Sequence, residues 1–340
     1  MIYFPDNSDD WKKIAASIKR SEKIYISTHV NPDGDAIGSE IAFAEFLRNM
    51  NKTHRIINHS RTPELYTFLD PENSIETFRE NEPLKDGPEK GDTVIFLDMG
   101  SYKRAGNVAD FLVQNEATKI IIDHHPPDPV DADIVVVNPR AAATGSLMYD
   151  LFCFINLSLV NEQIATALLT AIVTDTGYFR YSNTTHITHL IASSLYNHGA
   201  STTIISQKIQ VGIPLSRQKL MGLALAHVRI SNCGRIAYSY ITQSMFDDVG
   251  AQREHTDGII EQIRNIENIK IAILFIQETE NNFKVSLRST GNIPVNTIAS
   301  MFGGGGHKNA AGANVNGSLE DVTSKVLGIV AKVLDGKEKL

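Results

Sequence analysis

The stretch TKIIIDHHPPDP, residues 118–129, decides how the first half of the chain folds. Its three consecutive isoleucines offer no polar face, so they read as a short strand buried on both sides. That strand finishes in Asp123, His124 and His125, three adjacent side chains able to bind a cation. A surface turn has no need of them; a site that holds a cation does.

Working outward, the same grammar recurs. KIYIS (23–27), HRIIN (54–58) and TVIFLD (93–98) are further short apolar strands. AIGSEIAFAEFLRNM (36–50), RAGNVADFLVQ (104–114) and NEQIATALLTAIVTD (161–175) repeat apolar residues at helical spacing. Buried strands alternating with helices predict an α/β domain with a parallel sheet covered on both faces. From about 185 to 228 the chain reads helix after helix, broken at Gly199 and Pro214. From RIAYSYI (235–241) it turns α+β: KIAILFIQE and FKVSLRS predict a hairpin around Glu280, Asn281 and Asn282. A short helix then leads into the glycine-rich FGGGGHKNAAG. The expected division is a domain at 1–195, a helical linker at 196–228 and a smaller α+β domain at 229–340.

With 340 residues and 42% hydrophobic composition, the chain can bury more than one core. Two cysteines, Cys153 and Cys233, make no disulfide framework and fit a reducing compartment. MIYFPDNSDDW lacks the basic start and apolar core of a signal peptide, and no apolar run approaches a membrane span. A soluble cytoplasmic protein with no membrane partner is expected. The net charge of −7 and pI of about 5.9 argue against a binder of long duplex nucleic acid. A small substrate, its phosphate handled by metals and a few placed cations, fits better.

The partners of 123–125 lie at other strand ends. STHVNPDGDAIGS (27–39) follows the first strand and supplies His29, Asp33 and Asp35, with Pro32 and Gly34 tightening the loop. TVIFLD ends in Asp98, and the helix at 161–175 ends in Asp175. In open α/β sheets, ligands gather beyond the carboxyl ends of the strands. One aspartate there is commonly a cap; three strands all finishing in carboxylate or imidazole are not explained that way. Close carboxylates repel one another, and cations resolve the conflict. The oxygen-rich, thiolate-free set suits Mn²⁺ first, with Mg²⁺ as the alternative, rather than structural zinc. Charge counting favours two divalent ions, about 3.5–4 Å apart in sites that displace groups at phosphorus.

The motifs HVNPDGDAIGS, FLDMG, IIDHHPP and IVTDTG, in this order, resemble the DHH phosphoesterases. That resemblance implies one metal on His29, Asp33 and Asp98, and a second on Asp35, Asp98, His124 and Asp175. It implies that His125 faces the scissile phosphate, and that Asp123 orients a ligand histidine. In the C-terminal half, Arg288 near a strand end and Gly304, Gly305, Gly306 and His307 of the glycine run resemble the phosphate-gripping parts of a DHHA1 domain. Arg104, just after FLDMG, is a further candidate phosphate contact. Thr144 and Ser146 read simply as helix N-terminal residues, and Tyr178, Phe179 and Tyr181 as packing against helices. The whole chain is similar to compact two-domain members of the NrnA type. These degrade short RNA oligonucleotides (nanoRNA) to mononucleotides and often dephosphorylate 3′-phosphoadenosine 5′-phosphate, pAp. The alternative within the family is a cyclic-dinucleotide phosphodiesterase acting on c-di-AMP or pApA. A homodimer is left open.

Overall fold

The computed structural model describes residues 3–79, 86–126, 131–209 and 214–334. The chain divides into two compact units, residues 1–212 and 213–340.

The first unit opens with α1 (Ser8–Arg20), β1 (Lys23–Ser27), α2 (Gly34–Asn49), β2 (Thr53–Asn58) and β3 (Ile75–Thr77). It continues with β4 (Thr93–Leu97), α3 (Val108–Val113), β5 (Thr118–Asp123) and β6 (Ile134–Val137). Four helices follow: α4 (Thr144–Asn156), α5 (Glu162–Asp175), α6 (His186–Asn197) and α7 (Thr202–Ile209). The strands form a parallel sheet in the order β3-β2-β1-β4-β5-β6. Period-two alternation sends Ile24, Ile26, Ile95, Leu97, Ile120 and Ile122 into the core under α2, α4 and α5. Tyr25, Val94, Phe96 and Ile121 go to the opposite core, against α3. Both faces are therefore apolar, which is why the strands read as unbroken hydrophobic runs. The chain winds outward from β1 through β2 in one direction and from β4 through β5 in the other. The switch point thus lies between β1 and β4, where open α/β sheets bind ligands.

The helix expected over 104–114 is split. A 3-10 turn at Tyr102–Ala105 and α3 are separated by Gly106, whose φ of 66° breaks the helical path.

The second unit contains α8 (Leu215–Ala226), β7 (Arg229–Ile230), β8 (Ile236–Ile241), α9 (Gln243–Val249), α10 (Ile259–Arg264) and β9 (Ile271–Thr279). It ends with β10 (Asn282–Ser289), α11 (Val295–Ser300), β11 (Gly305–His307), β12 (Ala310–Asn316) and α12 (Leu319–Leu334). These strands make a mixed sheet, β11-β12-β10-β9-β8-β7, with β9 and β10 joined as the expected hairpin. Ile271, Ile273 and Phe275 of β9 face α11 and α12, while Ala272, Leu274 and Ile276 face α8, α9 and α10. Of the helical segment 196–228, α7 packs on α5 in the first unit, and α8 packs on α9, α10 and β8 in the second.

The glycine run is a short edge strand rather than an open loop. A Cβ on Gly304 would lie 2.1 Å from the Gly312 carbonyl, and one on Gly306 would lie 2.6 Å from that of Ala310. These two glycines let β11 approach β12, whereas Gly305 has open space beside it.

Among the described residues, no helix is long and apolar enough to cross a membrane.

Candidate metal centre

Strand register assembles the site. Ser27 of β1 pairs with Phe96 of β4, so the same offset carried two residues further sets His29 beside Asp98. Leu97 pairs with Ile122 of β5, which sets Asp98 beside Asp123. Accordingly, His29 Nε2 lies 3.4 Å from Asp98 Oδ2. Asp98 leaves β4 with φ of 60°, a conformation that Asp tolerates better than most residues.

Around this row, three groups of ligand atoms each cluster within 4.8 Å: His29, Asp33 and Asp98; Asp35, His124 and Asp175; and Asp98, His124 and His125. His124 Nε2 is 3.6 Å from each of Asp35 Oδ2, Asp98 Oδ1 and Asp175 Oδ2. Asp98 and His124 are thus each common to two neighbouring groups.

The imidazoles are held for this purpose. His29 Nδ1 lies 2.9 Å from the Val30 carbonyl, and His124 Nδ1 lies 3.3 Å from that of Ala141. A carbonyl only accepts, so Nδ1 carries the proton and Nε2 is left for a cation. His125 instead turns Nδ1 to Asp123 Oδ1 at 2.7 Å, and its backbone N–H donates to the same oxygen at 3.1 Å. Asp123 therefore orients His125 and not His124, and its other oxygen is buried with no hydrogen-bond partner.

The carboxylates are held just as firmly. Asp33 caps α2, accepting from the N–H groups of Asp35 and Ala36. Asp35 accepts at 2.7 and 2.9 Å from the N–H groups of Thr144 and Gly145 at the start of α4, where the helix dipole favours negative charge. The Thr144 hydroxyl donates to Asp98 Oδ1 at 2.9 Å. Asn183 donates to the Asp175 backbone carbonyl and weakly to its side chain. Sequence reading gave Thr144 no more than a place at a helix start and gave Asn183 none. Short polar residues at helix ends and in loops carry no chemical signature.

Electrostatics strain without a cation. Burial, with Asp98, Asp175 and Asp33 nearby, pushes Asp35 well above the usual carboxylate range. Desolvation within the crowded cluster and neighbouring carboxylates likewise lift Asp33, although its side chain reaches the surface, and lift Asp175 to about 7. Asp98 goes the other way: burial opposes its charge, but His29, His124 and His125 outweigh that and hold it low. Burial pulls His29 down, yet Asp98 and Asp33 raise it overall to about 9. Burial also opposes His125, and Asp123 and Asp98 bring it up. Acids packed this close that resist ionisation together are the donor set a divalent cation relieves, so the residues fit a metal.

Among the remaining sequence candidates, Arg288 in the second unit donates through Nε to Glu261 Oε1 at 2.9 Å. Gly305 and Gly306 lie on β11 and Gly304 directly precedes it, and the side chain of His307 is outside the described part of the chain. Arg104, in the 3-10 turn after β4, carries a charge that acts on His125.

Residues 23–172 match the DHH family, N-terminal domain, and residues 234–335 match the DHHA1 domain. The chain is 34% identical to a Thermus thermophilus protein named bifunctional oligoribonuclease and PAP phosphatase NrnA, over 95% of each chain. It is 25% identical to a Bacillus subtilis protein of the same name, over 89% of this chain and 92% of that one. A crystal structure of an exopolyphosphatase-related protein from Bacteroides fragilis superposes with a TM-score of 0.88, at 27% identity and 96% coverage of both chains. With carboxylates and imidazoles gathered at the strand ends and both domains matched, the chain belongs to the DHH family of phosphoesterases, with a DHHA1 domain behind its DHH domain.

Proposed function

We propose that this protein hydrolyses short RNA oligonucleotides to mononucleotides and removes the 3′-phosphate of pAp, using two divalent cations, Mn²⁺ by preference and Mg²⁺ as the alternative. The observation that carries the reading is the set of ligand clusters sharing Asp98 and His124 at the switch point of the sheet. Relatives named for both activities match along nearly the full chain, in support of it. The cyclic-dinucleotide reading has less behind it. A Listeria monocytogenes cyclic-di-AMP phosphodiesterase PdeA is 24% identical, and the match spans 46% of that protein.

His29, Asp33 and Asp98 would hold one ion; Asp35, Asp98, His124 and Asp175 would hold the other. When bound, the ions supply electrophilic stabilisation of the phosphoryl oxygens and an acidified water as nucleophile. The remaining steps belong to the chain. The start of α4 fixes Asp35 through the Thr144 and Gly145 N–H groups and Asp98 through the Thr144 hydroxyl, so little reorganisation accompanies reaction. His125, oriented by Asp123 and raised toward its protonated form, presents Nε2–H to the departing ribose oxygen. Arg288, Arg104 and the Gly304–His307 segment contribute phosphate contacts. The proposed setting is the cytoplasm, with nucleotides and short RNA as partners and no long duplex.

The test is competitive hydrolysis with Mn²⁺ of a 5′-phosphorylated RNA dinucleotide, pAp and c-di-AMP in one mixture, followed by mass spectrometry. The dinucleotide and pAp are expected to disappear first; early loss of c-di-AMP would move the assignment to cyclic dinucleotides. Asp98→Asn is expected to lower turnover by on the order of 10²–10³-fold or more while circular dichroism stays that of the parent.

A further inference from the structure

We infer that His59 and Arg104 form a phosphate subsite beside the metal row, one that binds a phosphate group other than the one cleaved. The inference rests on the function proposed above.

The register that joins His29 to Asp98 extends one strand further. Ile26 of β1 pairs with Ile56 of β2, and His59 directly follows β2 at the same carboxyl edge of the sheet from which His29 follows β1. The loops past these strand ends are tied together: the Asn31 N–H donates to Ser60 Oγ at 2.9 Å, and the Val30 N–H donates to the Arg104 carbonyl at 2.7 Å. His59 thus stands at the same edge of the sheet as His29, Asp98 and Asp123.

Its ring is seated and its tautomer is set. The Asn107 N–H donates to His59 Nδ1 at 3.2 Å. A nitrogen that accepts carries no proton, so the neutral ring has its proton on Nε2, a single donor. Gly106 lies against the imidazole: a Cβ there would come within 2.8 Å of it, and φ is 66°. The same turn carries Arg104, half-buried, with no hydrogen bond or ion pair for its guanidinium among the described residues. A half-buried guanidinium without a carboxylate partner, together with an imidazole N–H, is a donor set for a tetrahedral oxyanion. The substrates proposed here carry such a group, the terminal phosphate of a 5′-phosphorylated dinucleotide or the second phosphate of pAp.

The experiment compares the parent, His59→Ala and His59→Gln on two dinucleotides differing only in the terminal group, pApA and ApA, with Mn²⁺. His59→Ala is expected to raise KM for pApA about tenfold with kcat near the parent's and to leave ApA unchanged. His59→Gln keeps an N–H donor at similar reach and is expected to recover part of the loss. Equal effects on both substrates would mark His59 as a structural residue, and no effect on either would remove it from the site; each overturns the inference. If the parent turns over neither dinucleotide, the proposed function fails, and the subsite is judged by inorganic phosphate alone. The His59 imidazole resonance, identified by its loss in His59→Gln, should then shift on phosphate addition; a static resonance overturns the subsite.

Discussion

Glu40 is fully buried on α2, accepts from Asn58 Nδ2 at 2.8 Å through one oxygen, and has no partner for the other. Burial pushes its carboxyl up to about 8; the Asn58 bond and His29 pull down against that, and Asp98 and Asp70 add to the rise. The unfolded chain releases this proton near the ordinary Glu value of about 4.3, while the folded chain keeps it to about 8. The contribution of Glu40 to stability is therefore full below that lower pH and is lost as pH rises through the window. Glu40→Gln removes the dependence. Urea melts should show the variant gaining on the parent by on the order of a few kcal/mol between pH 5 and pH 8, whatever constant cost the new amide brings. Nothing in SEIAF (39–43) marked Glu40 as unusual, because a charged residue in a helix normally faces water. His29, Asp33, Asp35, Asp98, His124 and Asp175 stood out for the opposite reason, being ligand types at the ends of apolar strands. His59 was hidden because it follows an asparagine in an ordinary loop, and only the fold gives it a neighbour.

At the scale of elements, α5 packs so closely on α2 and on the start of α4 that Gly38 and Gly145 leave no room for a side chain of their own. A Cβ on Gly38 would lie 2.5 Å from the Ala167 carbonyl and 3.0 Å from Ala171 Cβ, and one on Gly145 would lie 2.6 Å from that same Cβ. These obstacles are backbone and methyl, which cannot rotate away. Gly38→Ala is therefore expected to destabilise the protein by about 1–3 kcal/mol, despite the better helix propensity of Ala. Because α2 carries Asp35 and α5 carries Asp175, Mn²⁺ affinity measured by paramagnetic resonance should fall in the same variant. Strand and helix types were legible from periodicity, since a doubly covered sheet leaves its strands unbroken runs of apolar residues. The pairing of the glycine run with β12 was not, because glycine has no side chain to alternate. The break at Gly106 was hidden too, as one glycine inside a helical pattern more often costs stability than ends the helix.

At the scale of the whole molecule, the candidate ligand groups found among the described residues come from positions 29 to 175, all in the first unit. Binding of cations to the native state adds stability as RT ln(1 + [L]/Kd), about 2.7 kcal/mol at a hundredfold excess over Kd. Hydrogen exchange with and without Mn²⁺ should slow at the amides of β1, β4 and β5 and leave β9 and β10 unchanged. Equal protection in both units would mean that they open as one cooperative body. The shift from alternating strands and helices to an α+β pattern was plain in the sequence. How the intervening helices are shared was not: nothing in the residues of α7 and α8 assigns either to a domain, and only tertiary packing attaches each to its unit.

The left-handed backbone at Asp98 also bears on how such a centre can change over evolutionary time. The position asks for a carboxylate and also for a residue at ease with positive φ. Glutamate meets the first demand and not the second, and glycine or asparagine the reverse. Aspartate is the residue that answers both, so a lineage exploring other ligands here has no neutral intermediate to pass through. Change in metal preference or substrate would have to begin at positions with ordinary backbone, such as Asp175 or the loop after β2, while Asp98 stays fixed.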